Sequence, residues 1–212
     1  MQTTDRTTLR RKRERGSTDR ALLDAILDEA LLAHVGFTAA HGPVVLPMTY
    51  ARIGDAVYLH GAAGNAMLRT ATTGVDVCMT VTILDGLVLA RSAFHHSMNY
   101  RCAVLFGRAE RVTDPAELQA MSAALVDRMS PGRSAEARPP TDEELRATLV
   151  IRLRIGEASV KVRTGGPIDD DDDLALPVWA GVVPMRLVAG EPEPGQGGPP
   201  PATRDTPANE HT

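Results

Sequence analysis

Apolar and polar positions alternate along much of this chain, and a two-residue period predicts strands. Between Pro43 and Arg52, Val45, Pro47 and Thr49 point one way, and Val44, Leu46, Met48 and Tyr50 the other. Ile53, Gly54 and Asp55 read as a hairpin turn, with 56–60 returning as the partner strand. Further strands are predicted over 34–40, 103–112, 149–155, 159–163 and 176–189. Segments 75–83 and 86–90 read as a second hairpin through Leu84, Asp85 and Gly86.

Helical spacing interrupts this pattern in four places. Over 19–33, Leu22, Leu23, Ile26, Leu27, Ala30 and Leu31 share one face, with Thr18 or Asp19 as the cap. Asn65 caps a short helix that ends near Thr73, with Gly74 as its stop. Residues 114–129 form a helix with Pro115 in its first turn, and Thr141 with Glu144 makes a capping box for 141–147. Strands with interspersed helices suggest a mainly β, α+β fold: an antiparallel barrel decorated by helices.

Composition sharpens this picture. The 212 residues, 43% hydrophobic, suit one domain with a real core. Aromatics are only 3%, so the core is aliphatic and the single tryptophan, Trp179, stands out. Residues 1–18 read as a disordered basic arm, 19–189 as the folded domain, and 190–212 as a disordered tail rich in Pro and Gly. A net charge of -4 gives no global case for a nucleic-acid partner. Five consecutive acids, Asp169 to Asp173, repel one another and need solvent or counterions. Cys78 and Cys102 sit in apolar strand patterns and read as buried thiols in a reducing compartment. With no signal-peptide pattern and no membrane-spanning stretch, a cytoplasmic location is expected.

Candidate chemistry gathers in two segments. His95, His96, Ser97, Asn99, Tyr100 and Arg101 crowd the approach to an apolar strand, and loops on a rigid scaffold are where binding groups collect. Tyr58 to Asn65 leads from a strand through Gly61 and Gly64 into a helix, where free backbone N–H groups accept an anion and Arg69 can add a charge-assisted bond. The Gly-Lys-Ser/Thr ending of a Walker loop is absent. His60, His95 and His96 raise a metal or haem reading, but neighbours on a strand point to opposite faces, so His95 and His96 do not readily share an ion.

Taken together, Tyr58 to Gly61, Asp85 to Ser92, His96 to Arg101 with Phe106 and Gly107, and Val178 to Gly181 resemble the pyridoxamine 5'-phosphate oxidase-like FMN-binding split barrels, in the flavin-nucleotide-binding branch related to nitroimidazole reductases. The resemblance implies a six-stranded antiparallel barrel and a homodimer holding FMN at its interface. By motif, Met48, Thr49 and Tyr50 would line the isoalloxazine edge, largely through backbone groups. His60, Gly61, Asn65 and Arg69 would surround the phosphate. Tyr100, Arg101 and Cys102 would bracket the flavin, and Trp179 would approach from the second subunit. His95 or His96 would donate a proton in the reduction of a small planar substrate. A non-catalytic flavin-binding protein, and a barrel using F420 or haem, are the alternatives. The Lys and the Tyr-x-x-x-Arg-x-x-x-Ser motif of the true vitamin B6 oxidases are missing, which disfavours that activity.

Overall fold

The computed structural model describes residues 4–193 and Gly195; most of the expected tail, 196–212, lies outside the described residues. Ten strands form one antiparallel sheet system: β1 (Gly16–Ser17), β2 (Leu32–Ala39), β3 (Gly42–Ile53), β4 (Ala56–Ala62), β5 (Asp76–Leu89), β6 (Ser97–Arg108), β7 (Glu110–Arg111), β8 (Thr148–Arg154), β9 (Glu157–Arg163) and β10 (Gly181–Pro184). Their order is β1-β9-β6-β5-β2-β3-β4-β8-β7, with β10 on the free edge of β5. The expected six strands are therefore corrected to ten. Seven of these are long, and β1, β7 and β10 are short additions at otherwise unpaired edges, which native sheets cover.

The core follows from the alternation. Val35, Val57, Leu59, Met79, Val81, Leu105, Ile151 and Val160 point inward and are buried together. Helix α1 (Arg20–Glu29) closes one end with Leu23, Ile26 and Leu27, and the Asp19 side chain caps it by accepting from the Ala21 N–H. Helix α2 (Ala66–Ala71) follows β4. Helix α3 (Pro115–Met129) starts on the Asp114 cap, and α4 (Asp142–Ala147) carries the expected Thr141/Glu144 capping box.

β5 and β6 depart from expectation. The predicted turn at Leu84, Asp85 and Gly86 does not form: β5 runs unbroken from Asp76 to Leu89. Its ladder with β6 skips Asp85, which stands out as a bulge. The bulge is held from outside, since the Asp85 carboxylate accepts from Arg101 and its carbonyl from the Met185 N–H. As β6 pairs with β5 from Asp76 to Val88 around that bulge, Asn99, Tyr100 and Arg101 sit inside a strand and not in the loop before it. The last predicted strand, 176–189, contracts to Gly181–Pro184, which pairs with β5 from Gly86 to Leu89, beyond the end of the β2 ladder at Thr80. Residues of the basic arm lie against the sheet: β1 pairs with β9, and the Arg6 guanidinium meets Glu157.

Candidate functional site

β3 serves two partners in succession. From Gly42 to Thr49 it pairs with β2, and from Tyr50 to Ile53 with β4. Past the Tyr50–Leu59 pair, β4 turns away to follow β8 through His60, Gly61 and Ala62. The second edge of β3 is thus left without a strand along 42–49 among the described residues. Pro43 and Pro47, which lack an N–H, suit such an open edge. The split between the strands is a cleft of about 430 Å³ lined by Leu46, Pro47, Met48, Thr49, His60 and Asn65.

Each wall has a physical reason. Met48 and Leu46 pack against the core, giving the cleft an apolar floor. Asn65 caps α2 by accepting from the Leu68 N–H at 3.3 Å. Gly61 sets the width: a Cβ there would stand 2.7 Å from Cδ1 of the fully buried Leu68, so a larger residue would force that side chain of α2 to shift. His60 Nδ1 is buried and finds no hydrogen-bond partner among the described residues. An unmet buried polar atom costs about 1–3 kcal/mol, and a polar ligand edge in the cleft would relieve it. Burial also lowers the His60 pKa, so the ring is held neutral.

That burial has a consequence for stability. The folded pKa lies below the unfolded one, so the unfolded chain binds the extra proton first as pH falls. The contribution of His60 is complete above the ordinary histidine value of about 6.5 and is lost as pH drops from there towards the folded value. His60→Leu is expected to flatten the acid limb of a plot of melting temperature against pH below about 6.5. An unchanged limb would show that another group causes it.

Not every expected site residue joins this cleft. Met48, Thr49, His60 and Asn65 do, with Gly61 shaping the wall. Arg69 lies exposed on α2. The Tyr50 side chain is fully buried beneath the strand. Its hydroxyl shares a hydrogen between the carbonyls of Leu27 (2.6 Å) and Ala30 (2.9 Å). Arg101 is turned to carboxylates: Nη2 meets Asp85 Oδ1 at 2.7 Å and Glu29 Oε1 at 2.7 Å. Those bonds, Glu29 first, raise its pKa and neutralise its charge locally. Tyr100 stands between Leu84 and Arg163, and Cys102 between Thr82 and Lys161; burial pushes the Cys102 thiol up.

A second cluster forms at the far end of β5. Leu89 lies opposite Gly181, and Val88 lies between Val182 and Ser97, so β10 and the start of β6 flank one rim. The residue level with Pro47, through His34, is Thr80. Nine residues separate it from Leu89, on the order of 25 Å along the strand. Trp179 therefore lies away from the cleft of its own chain. It is 64% exposed and folds back over Gly181, where a Cβ would strike the indole at 2.7 Å. The acidic run is pinned to the same rim. Asp169 accepts from the Arg91 backbone N–H (2.8 Å) and guanidinium (2.7 Å), and Asp170 Oδ2 lies 3.1 Å from His95 Nε2. His96 Nδ1 donates to the Ser92 carbonyl at 2.9 Å. The pairing of Asp169 and Asp170 with this rim was hidden from sequence reading, because the run lies more than seventy residues from Arg91 and His95.

The family model described as Pyridoxamine 5'-phosphate oxidase matches residues 19–162. No curated protein matches the sequence. The flavocytochrome Anf3 from Azotobacter vinelandii is 40% identical, with 96% of this chain and 94% of that chain covered and a TM-score of 0.86. The FAD and heme binding protein from Mycobacterium smegmatis is 41% identical over 87% of this chain and 94% of that one, with a TM-score of 0.78. A candidate 5-nitroimidazole antibiotic resistance protein from Bacteroides thetaiotaomicron shares the fold at 22% identity and a TM-score of 0.57, covering 69% of this chain and 86% of that one. Among the described residues, no helix is long and apolar enough to cross a membrane.

Proposed function

Because this chain belongs to the pyridoxamine 5'-phosphate oxidase family, we propose that it is a homodimeric redox protein carrying a flavin nucleotide in the β3/β4 cleft and a haem. The observation that carries this reading is the orphaned, buried His60 Nδ1 in a cleft with an apolar floor. The split barrel opens there, in a chain about 40% identical to a flavocytochrome and to an FAD and heme binding protein.

The residues present fit a flavin. Leu46, Pro47 and Met48 offer an apolar surface for a flat ring system, and the open edge of β3 offers backbone polar groups to its rim. Neutral His60 and the Asn65 amide line the opposite wall. When bound, a flavin accepts and releases electrons singly or in pairs, and a haem iron exchanges them singly. The chain supplies position, exclusion of water from the cleft floor, and a neutral ring at His60. FMN is the cofactor expected from sequence; the mycobacterial relative favours FAD.

A dimer is supported by the apolar surface left exposed on one chain. Leu32, Val45, Phe94, Met98, Val178 and Trp179 are all exposed, large apolar groups that a partner surface would take out of water. A second subunit would cover them and could bring its Trp179 to the cleft, which the indole does not reach within its own chain.

The test is the pigment of the purified protein. Absorbance with both an oxidised-flavin band and a Soret band is expected, and mass analysis of the released flavin should give FAD. Anaerobic titration with dithionite should then reduce both chromophores, and a candidate acceptor should reoxidise them. Protein that is colourless, and that takes up neither flavin nor hemin, would end the proposal.

A further inference from the structure

We propose that His96 is the haem ligand of this chain, its Nε2 binding the iron. This rests on the flavin-and-haem reading and narrows it to one atom.

An imidazole that holds a metal needs one ring nitrogen free and the other tied, so that tautomer and orientation are fixed in advance. Five histidines lie among the described residues. His60 belongs to the cleft, with a buried, unmatched Nδ1. His95 already has Nε2 at 3.1 Å from the Asp170 carboxylate, and its ring meets Phe94 edge-on at 5.2 Å. His34 and His41 are exposed, and no ring hydrogen bond orients either among the described residues. His96 alone of the five combines exposure with a tie: Nδ1–H donates to the Ser92 carbonyl at 2.9 Å, which leaves the Nε2 lone pair for a ligand.

The anchor of that tie is rigid. Ser92 caps the short 3-10 turn Ala93–His95, with its side chain accepting from the Phe94 N–H at 3.2 Å. Its carbonyl also accepts from the His95 N–H at 3.1 Å. Next to it, Arg91 is locked to Asp169 through both backbone and guanidinium. The ring of His96 is therefore presented from a fixed turn and not from a loose loop.

The surroundings suit a porphyrin, whose faces are broad and apolar. Phe94 is 88% exposed two residues before His96, and Met98 is 51% exposed two residues after it. Both stand out into solvent in the single chain, at a cost that a flat apolar ligand would remove. Leu176 and Val178, also exposed, lie on the segment that runs from the pinned Asp169 and Asp170 to Trp179. Phe94 and Met98 thus stand two positions either side of His96 in sequence, and all three side chains are exposed.

Hemin titration of the full-length flavin-loaded protein tests this, with Soret absorbance for affinity and electron paramagnetic resonance for axial ligation. His96→Ala should weaken hemin binding by about 100-fold or more and abolish the imidazole-ligation signature. Added imidazole should restore that signature. His96→Met, which replaces the imidazole nitrogen with a ligating thioether sulfur, should bind hemin with an altered axial spectrum. His95→Ala and His34→Ala should retain the wild-type spectrum. Bound flavin reports that each variant is folded. Wild-type-like hemin affinity and spectrum in His96→Ala would overturn the ligand assignment while leaving the haem reading intact. Wild-type protein that holds flavin but takes up no hemin would overturn the haem reading itself, and the assignment with it.

Discussion

Replacing Tyr50 with alanine is expected to lower the stability of the apo-protein by about 3–5 kcal/mol, the range for emptying a large buried side chain. For a chain of this size that is a fall of roughly 10 °C or more in melting temperature. The reason is the number of elements that meet on this ring. Tyr50 is fully buried at the point where β3 passes from β2 to β4. Its hydroxyl bridges the end of α1 through Leu27 and Ala30. The Arg128 guanidinium of α3 lies 4.5 Å from the ring centroid and donates to the hydroxyl at 3.0 Å. Tyr50→Phe separates packing from hydrogen bonding and should cost only about 1–2 kcal/mol.

The same residue predicts an alkaline limb. Burial first, opposed by Arg128, raises the Tyr50 pKa from 10.0 to about 12. A phenol whose folded value is raised contributes stability that is complete below the unfolded value and is lost as pH rises from there to the folded one. Wild-type protein should therefore shed stability between pH 10.0 and about 12, and Tyr50→Phe should lack that part of the loss. Identical alkaline limbs in thermal unfolding would contradict the assignment.

Thr49→Trp is the second large effect. Thr49 lines the cleft from the open edge of β3 and is half-buried, so an indole there projects into the space and does not disrupt the core. Flavin affinity is expected to fall about 100-fold or more, roughly 3 kcal/mol. Flavin fluorescence titration reads the loss. Unchanged flavin affinity would place the flavin elsewhere.

What could be read from sequence was what is decided locally. The capping box of α4 needs only Thr141 and Glu144 three positions apart, and the Asp114 cap and Pro115 start α3 in the same way. Both helices fall where their caps put them. The hairpin through Gly54 is equally local, because a glycine with φ 54 makes the turn. The triplet Leu84, Asp85, Gly86 looks like the same signal, yet it forms a bulge. What decides the difference is distant in sequence: an unbroken β6 on one side, Arg101 on the carboxylate, and Met185 on the carbonyl.

The site divides along the same line. The family resemblance puts Met48 and Thr49 at the flavin ring and His60 and Asn65 at its phosphate, and the structure gathers all four around one cleft. Arg101 was expected near the ligand, but Glu29 and Asp85 claim its guanidinium, and neither pairing has a local signature. His95 and His96 are equivalent in sequence. Only the fold separates them, by bringing Asp170 to one ring and a turn carbonyl to the other.

The most direct measurement is a crystal structure of the protein loaded with its flavin. The account predicts the ring system lying along the open edge of β3 from Leu46 to Thr49, with a polar edge within hydrogen-bond reach of His60 Nδ1. A flavin bound outside the β3/β4 cleft, with His60 Nδ1 still unpartnered, would contradict it.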